Sequence, residues 1–177
     1  MTPLLTLRPV RATDSARLLE LNSAAVPAVN DLGPDDLAAL IGASHSAIAV
    51  VAEDDPHTVL GFAIVFAAGA DYASENYRYF SGRAETFLYV DRIVVAEGHR
   101  GQGLGARLYS AVFDAARALP ADVVFCEVNL RPANPESLAF HDRLGFTEIG
   151  RQSTKNDTVV VSLLSASVSE VRSAPGR

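Results

Sequence analysis

Between Thr86 and Leu119 the chain reads as strand, glycine turn and helix, and few folds accommodate that unit. Thr86 to Val95 is dense in β-branched and aromatic residues, which predicts a long strand. Glycines then cluster from Gly98 to Gly105. Leu104, Leu108, Ala111, Val112 and Ala115 follow at helical spacing and predict a helix from Leu104 to Leu119, stopped by Pro120. The first amides of a helix have no intrahelical partner, and the helix dipole favours negative charge beside them. Glycine lets an anion approach the backbone and accepts positive φ. The unit therefore predicts a phosphate or pyrophosphate site. No Gly-Lys-Ser/Thr triplet is present, which excludes the nucleotide loop built on it. Gly101-Gln102-Gly103-Leu104-Gly105 also lacks the Gly-x-Gly-x-x-Gly spacing of a dinucleotide turn.

Other elements follow from local chemistry. Leu4 to Pro9 predicts a first strand. Asp14 predicts an N-cap for a helix from Ser15 to Ala25, ended by Val26-Pro27. Pro34 with Asp35 and Asp36 predicts a short helix to Ile41. Ala47–Glu53 and Val59–Phe66 predict an antiparallel hairpin across the turn 54–57. Residues 67–85 read as a loop carrying Tyr72, Tyr77, Tyr79 and Phe80, either a functional lid or a loop that packs its rings on the sheet. Val123–Asn129 predicts a buried strand, and residues 136–144 a helix ending at Gly145. Residues 147–153 and 158–164 predict two last strands. One domain over residues 1–164 is expected, with a flexible tail over 165–177.

Composition narrows the class. The chain has 177 residues, 49% hydrophobic and 20% charged, which is enough to bury a core. A formal net charge of −6 argues against non-specific nucleic-acid binding. Cys126, the only cysteine, sits in an apolar run and reads as a core thiol. The four histidines have no metal-motif spacing, so no metal is expected. With no signal-peptide pattern and no membrane-length apolar run, a cytoplasmic protein off the membrane is expected.

Arg100, Gly103 and Gly105 fill the pattern Gln/Arg-x-x-Gly-x-Gly/Ala, between a strand and a helix. This stretch resembles motif A of the GNAT acetyltransferase superfamily. Asn134-Pro135-Glu136-Ser137 through Phe140-His141-Asp142-Arg143-Leu144-Gly145-Phe146 resembles its motif B. Leu7-Arg8-Pro9 to Asp14 and Val59-Leu60-Gly61-Phe62 resemble its opening strand and third strand. The resemblance implies a mixed α/β GNAT fold, with a mostly antiparallel sheet of about seven strands flanked by helices and one splayed parallel pair.

It also implies acetyl-CoA as cofactor and CoA as product. The main chain of Ile93, Val94 and Val95 would contact the pantetheine arm, with an amide near Ile93 or Val94 polarising the acetyl carbonyl. The amides of Arg100, Gly101, Gln102, Gly103, Leu104, Gly105 and Ala106 would hold the pyrophosphate. Asn134 and Ser137 would face the cofactor. Arg143 takes the family's lysine position, either near the phosphates or as a solvated helix charge. An amine attacking the thioester needs a base and an acid. Asp91, Glu127 and Glu85 are the base candidates, Asp91 first because it precedes Ile93 by two residues. His141 stands where the family has tyrosine. Either it protonates the thiolate or water or Tyr89 does. Asn22, Tyr72, Tyr77, Phe80 and Tyr89 are acceptor-site candidates. The expected acceptor is a small-molecule amine; the alternatives are a protein N-terminus or lysine, or an acyl-CoA sensor without turnover. A homodimer is implied by the resemblance alone.

Overall fold

The computed structural model describes residues 4–169. In chain order the elements are β1 (Leu5–Pro9), α1 (Ser15–Ala24), α2 (Pro34–Ala43), β2 (Ser46–Ala52), β3 (Asp55–Ala67), α3 (Glu75–Ser81), β4 (Phe87–Val95), α4 (Leu104–Ala118), β5 (Val123–Arg131), α5 (Pro135–Arg143), β6 (Thr147–Thr154) and β7 (Val159–Ser167). Seven strands form one sheet in the order β1-β2-β3-β4-β5-β7-β6. The registered pairs β1–β2, β2–β3, β5–β7 and β6–β7 are antiparallel. The parallel pair is β4–β5. This is the mixed α/β arrangement the resemblance implies.

Chain contacts define two compact units. The first runs to Phe66 and adds Arg92–Tyr109; the second is Ala67–Asp91 with the residues from Ser110 onward. In the first, Leu18, Leu21, Leu37 and Leu40 bury one stripe of each helix, and Ala49–Val51 with Val59 and Phe62–Phe66 bury the hairpin. Asp14 lies at the entry to α1, as expected, but its side chain does not cap the helix. Arg8 reaches it with two guanidinium hydrogen bonds of 2.7 and 2.9 Å, and the Arg11 amide donates a third at 2.7 Å. The Arg8 hydrogen bond holds the Asp14 carboxyl below the usual carboxylate range.

In the second unit Phe80, Phe87, Tyr89 and Phe125 form a buried aromatic cluster, with Phe80 stacked on Phe125 at 4.5 Å. Cys126 is buried on β5. The β4–β5 register runs Phe87↔Val123, Leu88↔Val124, Tyr89↔Phe125. Residues 67–85 are not a plain loop. Ser74 Oγ accepts from the Tyr77 amide and caps α3, a Ser-x-x capping signal overlooked among the aromatics. Tyr79 then lies against Gly150, where any Cβ would collide with its hydroxyl. The last strand also outruns its expected end: β7 continues to Ser167, because the Ser165–Ser167 backbone pairs with Val123–Phe125. The remainder of the expected tail, residues 170–177, lies outside the described residues. Among the described residues no helix is long and apolar enough to cross a membrane.

Candidate active site

The glycine turn belongs to the first unit. A short 3-10 turn, Glu97–His99, leaves β4, and the chain reaches α4 through Gly101 at φ +74° and Gly103 at φ +81°. An L side chain is strained at both. A Cβ at either would meet nothing within 4 Å, so the turn opens outward. Gln102 Nε2 donates to the Gly98 carbonyl at 3.2 Å and closes the turn on itself. The first bond into the helix runs from the Arg107 amide to the Gly103 carbonyl at 3.1 Å. The amides just before Arg107, on the first turn of α4, are therefore the orphan donors of a helix start, whereas the Arg100 amide already donates to the Glu97 carbonyl at 3.3 Å. Leu104 is buried and anchors that start, while Arg100 to Gly103 and Ala106 are exposed and Gly105 is half-buried. This open cradle of backbone donors on a 15-residue helix fits a pyrophosphate.

β3 shapes the strand beside it. A Cβ at Gly61 would stand 2.8 Å from the Val94 carbonyl oxygen and 3.3 Å from Val95 Cα, and the Ala96 amide donates to the Leu60 carbonyl at 2.8 Å. Gly61 therefore fixes the path of the main chain at Val94 and Val95. Its signal was present as a lone glycine in an apolar strand run, the mark of a close backbone approach.

Along β4, residues 87–90 are all buried, then burial alternates: Asp91, Ile93 and Val95 are half-buried, Arg92 and Val94 buried. One face of the strand is thus more open from Asp91 onward. In the second unit two of the three predicted carboxylates, Asp91 and Glu127, are each met by a tyrosine. The Tyr72 hydroxyl donates to Asp91 Oδ1. The Tyr89 hydroxyl donates to Glu127 Oε1 at 2.9 Å. The two pairs differ in exposure. Tyr89 is wholly buried and Glu127 Oε2 is shut off from solvent, whereas Tyr72 and Asp91 are half-buried. Burial, with the negative charge of Glu127, pushes the Tyr89 phenol well above its usual range and keeps it protonated. Glu85 is exposed, beside a cavity of about 630 Å³ lined by the Ala68–Ala70 and Ser81–Glu85 turns with Tyr77 and Phe87.

Residues 16–146 match the profile of the acetyltransferase (GNAT) family. The chain belongs to that family. Membership makes this acetyltransferase an acyl-CoA-dependent N-acyltransferase. Solved structures share its fold at low identity. The ribosomal-protein-S18-alanine N-acetyltransferase from Escherichia coli is 16% identical, with a TM-score of 0.69 over 98% of this chain and 97% of that one. A putative acetyltransferase from Salmonella typhimurium, determined with its cofactor acetyl-CoA, is 21% identical, with a TM-score of 0.68 over 98% of both. NAA60 from Arabidopsis thaliana in complex with acetyl-CoA is 17% identical, with a TM-score of 0.73 over 94% of this chain and 99% of that one. No protein of curated function matches the sequence closely enough to count as a relative.

The remaining predicted site residues of the acetyltransferase fall in three settings. Tyr77 and Phe80 are buried in the aromatic cluster, as Tyr89 is. Asn22 is fully buried in the first unit: its oxygen accepts from Arg92 Nη1 at 2.7 Å and its nitrogen donates to the Asn30 carbonyl at 3.0 Å. Arg92 Nη2 also donates to Asn30 Oδ1 at 2.9 Å. This buried cation on β4 was missed as an organising residue, because sequence spacing does not say which strand residue turns inward.

On α5, Asn134 Oδ1 accepts from the Ser137 amide at 3.3 Å, so Asn134 caps the helix, while Arg143 is exposed at its far end. His141 is buried between Phe140 and Phe146, and its Nδ1 lies 2.7 Å from the Ser137 carbonyl. A carbonyl only accepts, so Nδ1 carries a proton. Burial lowers the His141 pKa from its usual value, outweighing the Ser137 hydrogen bond. That bond fixes the ring's orientation and leaves Nε2 as the nitrogen that can exchange a proton.

A pH prediction follows from the direction of this shift. Below the unfolded value, near 6.5, the unfolded chain takes up a proton that the folded chain resists. Stability is therefore expected to fall as pH drops from 7 towards the lowered folded value. His141→Phe should flatten that arm, and urea midpoints at several pH values between 7 and 5 check it.

Proposed function

We propose that this acetyltransferase moves an acetyl group from acetyl-CoA to the amine of a small molecule, with Asp91 as the residue that meets the amine. The observation that carries this is Asp91 on the more open face of β4, two residues before Ile93, with its carboxylate held in place by Tyr72. Acetyl-CoA, when bound, supplies a thioester: the acceptor nitrogen bonds to its carbonyl carbon, the carbon–sulfur bond breaks and CoA leaves as the thiol. The amides from Gly101 to Ala106 would hold the pyrophosphate, and the backbone of Ile93 to Val95 would line the pantetheine arm. Asp91 anchors the ammonium and takes its first proton; the second, lost as the amide forms, passes through water to the departing sulfur. Glu127, shut in behind Tyr89, supports the aromatic floor rather than meeting the acceptor. His141 packs α5 and is not assigned to the departing thiolate.

The test is release of free thiol when acetyl-CoA is mixed with a panel of small amines. Turnover is expected with at least one amine. Asp91→Asn should cut kcat/KM by at least about 100-fold, the scale of a lost general base, with the Kd for acetyl-CoA unchanged. No thiol release with any amine, although acetyl-CoA binds, would sink the enzyme reading. A second reading, acetylation of a protein N-terminus, draws on the fold shared with the S18-alanine N-acetyltransferase and NAA60. Peptides ending in a free α-amine, run in the same assay, separate the two.

A further inference from the structure

The aromatic segment after β3 is built to place one hydroxyl. The Tyr77 hydroxyl donates to the Ala67 carbonyl at 2.7 Å and accepts from the Ala70 amide at 2.9 Å. The turn between them passes through Gly69 at φ +81°. Tyr77 is itself buried against Phe87 and Tyr89, each ring 5.7 Å away. Four residues beyond Ala70, Ser74 is fixed as the cap of α3, again through Tyr77. Only Asp71, Tyr72 and Ala73 lie between these anchors, and the Tyr72 amide donates to the Ala70 carbonyl at 3.0 Å. The Tyr72 ring stands edge-on to Tyr77 at 5.7 Å. Buried Tyr77 therefore positions half-buried Tyr72, and the Tyr72 phenol lands on Asp91.

A phenol that gives its proton to a carboxylate still accepts through its oxygen. We infer that Tyr72 Oη and the Asp91 carboxylate form a two-point receptor for the acceptor's ammonium, so that the site selects amines offering at least two N–H donors. One N–H goes to Asp91 and a second to Tyr72 Oη, whose own O–H keeps donating to Asp91. No bond is made or broken, and the pair sets orientation before the chemistry. A primary ammonium satisfies both points; a tertiary ammonium has one N–H and leaves the Tyr72 oxygen unmet. The inference rests on the role proposed above for Asp91.

The test compares phenethylamine with N,N-dimethylphenethylamine, binding measured by calorimetry on wild type and on Tyr72→Phe. Wild type is expected to prefer the primary amine by about fivefold, the scale of one neutral hydrogen bond, and the variant to lose that preference. In thiol-release assays Tyr72→Phe should raise the KM for phenethylamine about fivefold and also lower kcat, because Asp91 loses the hydroxyl that holds it. Its Tm should stay within about 2 °C of wild type, because a single half-exposed hydroxyl is removed. A variant that keeps the wild-type preference, or a wild type that binds both amines equally or neither, overturns the inference. If the preference is present and lost as expected but no amine releases thiol, the acetyl-transfer reading fails and the ammonium receptor stands.

Discussion

Gly103→Val is expected to abolish measurable acetyl-CoA binding while the protein stays folded. At φ +81° valine costs about 1–2 kcal/mol in backbone strain, which predicts a Tm lower by about 5 °C. Nothing stands within 4 Å of the new Cβ, so no clash in the core adds to that cost. The binding loss has a separate cause. Valine's methyl groups stand on the open side of the turn, where the anion must approach the amides. Relief of the strain also turns the neighbouring N–H groups away from a common centre. Two charge-assisted hydrogen bonds lost at about 1.5–3 kcal/mol each correspond to a Kd raised by at least about 100-fold. Gly42→Ala is the control: it lies inside α2 with nothing within 4 Å of a Cβ, so helix propensity should leave stability equal or slightly higher and binding unchanged. Calorimetric titration with acetyl-CoA, alongside thermal melts, reads both effects. An unchanged affinity in Gly103→Val would remove the pyrophosphate from this turn.

The second large effect lies in the first unit's buried polar network. Asn22→Leu should destabilise the protein by about 3 kcal/mol, because it removes a hydrogen bond to a buried cation and orphans the Asn30 carbonyl. For a chain of this size that is a fall of about 6–12 °C in Tm. Shape is not the main reason, since leucine and asparagine have the same number of side-chain heavy atoms with the same branching. The cost comes from the buried guanidinium losing an acceptor, Arg92 being 5% exposed and Asn22 0%. Adding Arg92→Met to Asn22→Leu should recover about half of the loss, because the guanidinium N–H that pointed at Asn22 is then gone. Denaturant midpoints for the two single variants and the double variant check this. Additive losses would mean the two side chains are not coupled.

Much of the fold was legible before any coordinates. The β4–turn–α4 unit was readable because each part has its own local signal: β-branched run, glycines, then apolar residues at helical spacing. α2 began at Pro34 and α5 ended before Gly145, at φ +88°, for reasons local to those residues. What failed depended on partners distant in sequence. α3 was hidden because its aromatic density reads as a loop surface, while its cap is a single serine. Asp14 looked like a cap because the sequence shows a good capping residue and not the arginine six residues earlier that takes its carboxylate.

Among the site residues the same division holds. Local sequence was sufficient for the glycine turn itself, since positive φ at Gly101 and Gly103 is a property of a few consecutive residues. Asp91 was placed two residues from Ile93 by strand periodicity alone. The sequence could not separate Asp91 from Glu127, because the difference lies in which tyrosine reaches each and how deeply that tyrosine is buried. Nor could it tell that Asn22 faces a buried guanidinium from β4, 70 residues away. By itself, then, the chain determined its glycine turn, the starts of α2 and α4 and its family, all written in short-range pattern. Tertiary structure alone decided which polar side chains became core and which stayed within reach of an acceptor, because burial and hydrogen-bond partnership depend on residues brought together only by folding.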